Sequence, residues 1–280
     1  MTGVEGAIVV GVDGSEESER AVRWAATEAG LRKAHLHLVH GFAPQLEYEG
    51  TGLAMPQEVI ASLVHAARDI LDQRAATARQ VAGDVPVTTE TAQNLPVPLL
   101  LELSRRARMI VLGSSGSGGF TGMRIGSTAS AVAAHARCPV VVVRGTAGEG
   151  PVVVGVDGSP VSERAIAAAF DEASWRQAPL VAVHAFVDVE YISGWHATEE
   201  EERAVLAESL AGWREKYPDV GVERIAVLDR PRHQLLDWSQ RAQLVVVGSR
   251  GRGGLPGLLL GSTSQALIQH AHCPVMVVRP

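Results

Sequence analysis

A chain of 280 residues, 46% hydrophobic but only 4% aromatic, has room for two ordinary domains with cores built mainly from Val, Ala, Leu and Ile. A formal charge of −6 provides no basic face and argues against general nucleic-acid binding. The chain has no uncharged apolar stretch of about twenty residues and no charged N-terminal segment leading into an apolar one; the expectation is a cytoplasmic protein that neither spans a membrane nor is secreted.

In chain order, apolar runs alternate with amphipathic segments. Ala7–Val12 is a continuous apolar run, the pattern of a strand buried on both faces. The turn Asp13-Gly14-Ser15 leads into a predicted helix from Glu16 to Arg32, where Ala21, Trp24, Ala25, Glu28 and Leu31 recur at helical spacing. Ser15 or Ser18 supplies its cap, and Glu16, Glu17 and Glu19 suit its N-terminal dipole. His35–Phe42 reads as a second strand, Ala43–Pro56 as a loop, Gln57–Val81 as a long amphipathic helix and Val85–Thr91 as a third strand. Val97–Ala107 is then helix, Arg108–Leu112 the fourth strand, Gly126–Ala136 the last helix and Val140–Arg144 the last strand. Residues 145–150 form a linker, after which the same order repeats, with a long helix over Thr198–Tyr217.

The repetition is literal. Residues 6–42 align without a gap on 150–186, with 21 of 37 positions identical, including Gly-Val-Asp-Gly-Ser at Gly11–Ser15 and Gly155–Ser159. The chain is therefore two tandem copies of one domain, 1–144 and 151–280. Alternating strands and helices with right-handed crossovers imply the α/β class, each domain a doubly wound, Rossmann-like, five-stranded parallel sheet. Two strand orders suit this count, 2-1-3-4-5 and 3-2-1-4-5. Only the second sets the ends of the first and fourth strands side by side at a topological switch point, where such sheets bind ligands. That order is expected here, because the two glycine-bearing segments of each half follow those two strands.

The fourth strand of each half runs into the same glycine pattern. Gly113-Ser114-Ser115-Gly116 is followed after nine residues by Gly126-Ser127-Thr128, and Gly248-Ser249-Arg250-Gly251 after nine by Gly261-Ser262-Thr263. Ser117, Gly118 and Gly119 extend the first loop, as Arg252, Gly253 and Gly254 extend the second. Glycine lets backbone approach a ligand closely, and N–H groups at a helix start attract anions, so each loop is a candidate phosphate site. Gly-x-x-Gly alone is also an ordinary strand-to-helix turn; the fixed spacing and the duplication favour the phosphate reading. No Gly-Lys-Ser/Thr follows either loop, so the lysine of the common P-loop is missing, which favours binding over fast phosphoryl transfer. Arg250 and Arg252 stand where the first loop has Ser115 and Ser117, as phosphate partners or as solvated loop residues.

Gly11 with Asp13, and Gly155 with Asp157, lie just past the first strand of each half. Their carboxylates either accept from a base or ribose, hold a metal ion, or only start the turn and cap the helix. Asp188, past the second strand, stands where acidic residues bind ribose hydroxyls in doubly wound folds. Its counterpart is Pro44, so the two sites are expected to differ in affinity. His35, His37 and His40 divide between strand faces and lack a completing ligand, which weighs against a metal site. His135 and His270 suit helix C-terminal ends. Cys138 and Cys273, each before a proline, read as small buried thiols. Trp175, Trp195, Trp213 and Trp238 read as core or loop anchors.

Taken together, Gly-x2-Gly-x9-Gly-Ser after the fourth strand and Gly-Val-Asp-Gly-Ser after the first resemble the ATP-binding class of universal stress proteins, in the tandem two-domain bacterial form, over nearly the whole chain. The resemblance implies ATP at each switch point, with adenine near Asp13 and Val39 or near Asp157 and Val183. It also implies slow or no hydrolysis and a role in surviving stress or growth arrest, read by a regulatory protein partner that no motif identifies. Two alternatives stand beside it. One is a slow ATPase or nucleotide-transferring enzyme, with Mg²⁺ on Asp13 and Asp157 and Arg250 or Arg252 at the γ-phosphate; the other is a nucleotide-independent interaction protein. Family members pair through their last strands, so Val140–Val143 and Val275–Val278 are expected to pair within one chain, and whole chains to form a homodimer.

Overall fold

The computed structural model describes residues 4–43, 56–116, 125–145, 148–187, 198–252 and 259–280. The chain divides into two compact units, Met1–Val143 and Arg144–Pro280. In the first, β1 (Ile8–Gly11), β2 (Leu36–Gly41), β3 (Val87–Ala92), β4 (Met109–Gly113) and β5 (Val140–Val143) lie parallel in the order β3-β2-β1-β4-β5. This is the expected 3-2-1-4-5 order. β1 is central because Ile8, Val9 and Val10 are apolar and wholly buried, which requires cover on both faces. Ile8 pairs with Leu36 on one side and Met109 on the other, so β1 and β4 finish side by side. Helix α1 (Glu16–Arg32) packs on α2 (Gln57–Val81), and α3 (Pro96–Leu103) packs on α4 (Ser127–His135). Right-handed crossovers in this strand order place one pair on each face.

The second unit repeats the plan. Its strands are β6 (Val152–Gly155), β7 (Leu180–Phe186), β8 (Val222–Leu228), β9 (Leu244–Gly248) and β10 (Val275–Val278), in the order β8-β7-β6-β9-β10. Its helices are α5 (Pro160–Arg176), α6 (Glu199–Ser209), α7 (Trp213–Lys216), α8 (Pro231–Trp238) and α9 (Ser262–His270). Cores follow the composition: Val and Ala dominate the fully buried positions, and Phe170 is the one large aromatic among the described residues that is fully buried.

Local chemistry sets the helix ends. Ser15, not Ser18, caps α1 by accepting from Ser18 N at 3.1 Å, and Ser159 caps α5 from Ser162 N at 3.2 Å. Both helices stop at a residue in the left-handed region, Lys33 and Gln177, each at φ 50°. The expected third helix to Ala107 ends instead at Leu103. There the Ser104 hydroxyl donates to Leu101 O and accepts from Arg137 N, tying the helix end to the segment before β5. The expected long helix over Thr198–Tyr217 is two helices. Gly212, at φ 78°, takes a conformation that a continuous helix excludes. The break lets Trp213 and Tyr217 stack on Phe170, with ring centroids 5.3 and 5.5 Å away.

Each first helix also buries an ion pair at the same repeat position. Glu28 and Arg32 are 0% and 4% exposed, Glu172 and Arg176 1% and 8%. Each glutamate sits in the apolar stripe of its helix, and the arginine one turn on compensates its burial. Cys138 and Cys273 are buried, and burial pushes both thiols up to about 12. A raised thiol pKa keeps the unreactive protonated form at neutral and mildly alkaline pH. A thiol reagent at pH 8 is therefore expected to leave the folded protein unmodified and to label both cysteines once denaturant unfolds it. Rapid labelling of the folded chain would overturn the buried placement.

Candidate functional site

Each unit holds a cavity at the carboxyl ends of its central strands, where the strand order reverses. The first, of about 500 Å³, is walled by Gly11, Val12 and Asp13 after β1 and by Val39 to Ala43 after β2. Gly113, Ser115 and Gly116 after β4, and Gly126 to Ala129 at the start of α4, complete its polar side. Leu95, Pro96, Leu99 and Leu100 of the α3 segment make its apolar side. The second, of about 770 Å³, has the same plan: Gly155 to Asp157, Val183 to Val187, the Gly248 loop and Gly261 to Ser264. Pro231 and Leu235 of α8 form its apolar wall, and Glu202 of α6 adds a carboxylate.

Loop and turn are locked together by the aspartates. Asp13 Oδ1 accepts from Ser15 N at 3.0 Å and Ser15 Oγ at 2.6 Å, and Asp157 Oδ1 accepts from Ser159 N at 3.0 Å. Their second oxygens reach the glycine loops. A Cβ on Gly116 would lie 2.3 Å from Asp13 Oδ2, and one on Gly251 would lie 2.2 Å from Asp157 Oδ2. Asp157 Oδ2 also accepts from Arg252 N at 3.0 Å. These glycines thus make room for the protein's own carboxylate while lining the cavity. Gly113 and Gly248 do likewise for the first helix: a Cβ would meet the Glu17 backbone carbon at 2.6 Å or Val161 Cγ1 at 2.9 Å.

The expected site residues divide accordingly. Gly11, Asp13, Val39, Gly113, Ser115, Gly116, Gly126, Ser127 and Thr128 line the first cavity; Gly155, Asp157, Val183, Gly248, Arg250, Gly251, Arg252, Gly261, Ser262 and Thr263 line the second. Ser114 and Ser249 were expected at the ligand but close the loops instead, because each offers its carbonyl to the helix-start glycine, at 2.7 Å from Gly126 N and from Gly261 N. Ser249 is wholly buried, and its N–H donates to Val278 O. Ser117, Gly118, Gly119, Asp188, Gly253 and Gly254 lie outside the described residues, as do Pro44 and Trp195. Helices α4 and α9 begin at Gly126 and Gly261 with no side-chain cap, so their first N–H groups are open to an anion.

Several lining residues have roles that no sequence motif announced. His40 and His184 anchor the second strand of each unit to the first, Nδ1 donating to Val12 O at 2.8 Å and to Val156 O at 2.7 Å. The repeat carries the signal, since both occupy one aligned position, as do Pro96 and Pro231. Glu202 had no such signal, because the two α2-type segments do not align. The other histidines serve the sheet and the helices. His37 contacts Thr88 Oγ1 and Glu90 Oε2, with its pKa lowered chiefly by burial, and His135 Nδ1 donates to Ala131 O. Beside the second cavity, Asp229 is held at about 2 by hydrogen bonds from His233, Gln234 and Arg230 N. Arg279, outside the cavity lining, has its pKa lowered by burial and then by the charge of Arg250.

Comparison with known proteins places this geometry in context. The universal stress protein family model matches residues 6–144 and again 150–279. The chain is 43% identical over 292 residues to universal stress protein Rv2005c of Mycobacterium tuberculosis, covering 97% of this chain and 96% of that one. A Mycolicibacterium smegmatis universal stress protein is also 43% identical, over 100% of this chain and 99% of its own. Among solved structures, a universal stress protein from Archaeoglobus fulgidus shares the fold with a TM-score of 0.72 at 18% identity, covering 99% of this chain and 97% of that one.

The clasp between turn and loop is open to test. Gly251→Ala should drive its Cβ into Asp157 Oδ2, release the Arg252 N–H and cost about 1–3 kcal/mol of local stability. Amide exchange at Arg252 should quicken correspondingly. Gly221→Ala, where nothing lies within 4 Å, is the control. Unchanged exchange in Gly251→Ala would refute the clasp.

Proposed function

The chain belongs to the universal stress protein family, and we propose that each unit binds one adenine nucleotide, ATP foremost, as a nucleotide-dependent regulator of stress survival or growth arrest. The observation that carries this reading is a convergence found twice. A turn carboxylate, a glycine loop and an uncapped helix start meet in one cavity at the sheet's switch point. Volumes of about 500 and 770 Å³ suit a nucleotide.

In this reading the phosphates take hydrogen bonds from backbone N–H groups at the starts of α4 and α9 and from the hydroxyls of Ser127, Thr128, Ser262 and Thr263. Adenine lies against Val39 or Val183 and the apolar wall of α3 or α8, with Asp13 or Asp157 on the polar side. Both aspartates already spend Oδ1 on their own turns, so Mg²⁺ arriving with ATP keeps mainly phosphate and water ligands. No lysine occurs in residues 113–128 or 248–263, which supports binding over turnover, because fast phosphoryl transfer needs fixed cationic charge at the γ-phosphate. The protein works in the cytoplasm, and a protein partner reads its bound state.

Calorimetric titration with ATP, ADP, AMP and cyclic AMP is expected to show two sites per chain, with phosphate release from ATP far below the roughly 1–1000 per second of typical enzymes. Heat from none of the four would sink the reading. We also propose that whole chains form a homodimer, the commonest closed assembly. Light scattering at micromolar concentration should give twice the 29.6 kDa chain mass, and the single-chain mass would overturn the dimer.

A further inference from the structure

Arg252 stands in the second glycine loop where the aligned residue of the first is Ser117. Its guanidinium lies over the Asp157-Gly158-Ser159 turn, where a Cβ on Gly158 would be 2.6 Å from Nη2 and 3.1 Å from Val205 Cγ1 of α6. In the first unit the same ground over Gly14 is taken by apolar Ile70, whose Cδ1 would be 3.2 Å from a Cβ. Arg252 Nη1 stands 3.8 Å from Glu202 Oε2, and the Glu202 side chain is 13% exposed. Behind Glu202 lies buried His184, with Nε2 on the same carboxylate oxygen and Nδ1 on Val156 O. Both ring nitrogens of His184 are thus engaged, one on the strand end and one on the carboxylate. Glu202 is thereby held on the cavity wall, beside a half-exposed arginine of the glycine loop.

We propose that the second site, unlike the first, selects its nucleotide by phosphate charge, with Arg252 as the selecting residue and Glu202 as the internal anion that phosphate displaces from it. This rests on nucleotide binding at that cavity. At 3.8 Å the Arg252–Glu202 pair is held by charge and not by a directional hydrogen bond. The guanidinium can therefore turn to phosphate oxygens, which match its fork geometry, without breaking a bond of fixed direction. The carboxylate left behind repels the incoming phosphates. A triphosphate has the charge and reach to win that exchange, whereas a monophosphate gains little from it. Among its described lining residues the first cavity has no arginine, lysine or glutamate to set such a threshold.

The test is titration of the full chain and of its Glu202→Gln and Arg252→Gln variants with ATP and AMP. Cross-linking of 8-azidoadenine nucleotides to peptides of the second unit assigns the site. Glutamine keeps an acceptor for His184 Nε2, so Glu202→Gln isolates the charge; it also tests the proposal unaided should Arg252→Gln fold poorly. The ATP-to-AMP affinity ratio at the second site is expected to rise about five-fold in Glu202→Gln and to fall about ten-fold in Arg252→Gln, with the first site's ratio unmoved. Nucleotides that bind the second unit with a ratio indifferent to Glu202→Gln overturn the selection and leave nucleotide binding standing. No nucleotide bound by the wild-type second unit overturns both.

Discussion

The functional end of each unit depends on one close approach: a turn carboxylate occupying the space beside the second loop glycine. Asp13 does this at Gly116 and Asp157 at Gly251. One carboxylate oxygen shapes its own turn, which starts the first helix, and the other reaches the loop from the fourth strand. Because β1 and β4, like β6 and β9, are neighbours in register, the two segments leave the sheet side by side, and one short side chain can join them. The described start of each loop is tied in turn to the helix-start glycine, through the carbonyls of Ser114 and Ser249. Preorganisation of this kind spares a ligand the entropy of ordering residues 113–116 and 248–252.

The sheet beneath tolerates little variation because parallel strands are buried on both faces. Its Val-rich strands and Ala-rich first helices allow close layers without aromatic bulk, and glycine at Gly113 and Gly248 lets the first helix start touch the fourth strand's end. The buried Glu28–Arg32 and Glu172–Arg176 pairs are charged exceptions to this apolar interior. Removing one partner of such a pair strands a charge in the core, which explains how so costly a feature persists as a unit.

Duplication preserved the frame and let the walls diverge. In the first unit α2 is fastened to the turn by Arg74, which donates to Glu19 at 2.8 Å and to Gly14 O at 3.1 Å, while Ile70 covers the glycine. In the second, Arg252 comes from the loop and meets Glu202 from the helix. The turn glycine is covered by an apolar side chain in one unit and by a guanidinium in the other. Two cavities with a common floor therefore have different charge.

Repetition and apolar periodicity in the sequence carried the duplication and the parallel α/β class, and the glycine-bearing segments after the first and fourth strands favoured 3-2-1-4-5 over 2-1-3-4-5. The sequence also marked nearly half of the lining residues, since the loops that carry them leave the strand ends directly. Only the tertiary structure decided what the glycines make room for. Nothing in Gly-x-x-Gly reveals that a carboxylate some hundred positions earlier fills the gap, because that contact exists only once β1 and β4 lie together. The same holds for Ser114 and Ser249, whose carbonyls close the loops, and for Glu202 and His184, which meet through the packing of α6 on β7. Local pattern reports what a segment becomes. Which side chains then share a wall is set by packing between segments remote in the chain, and no local pattern records it.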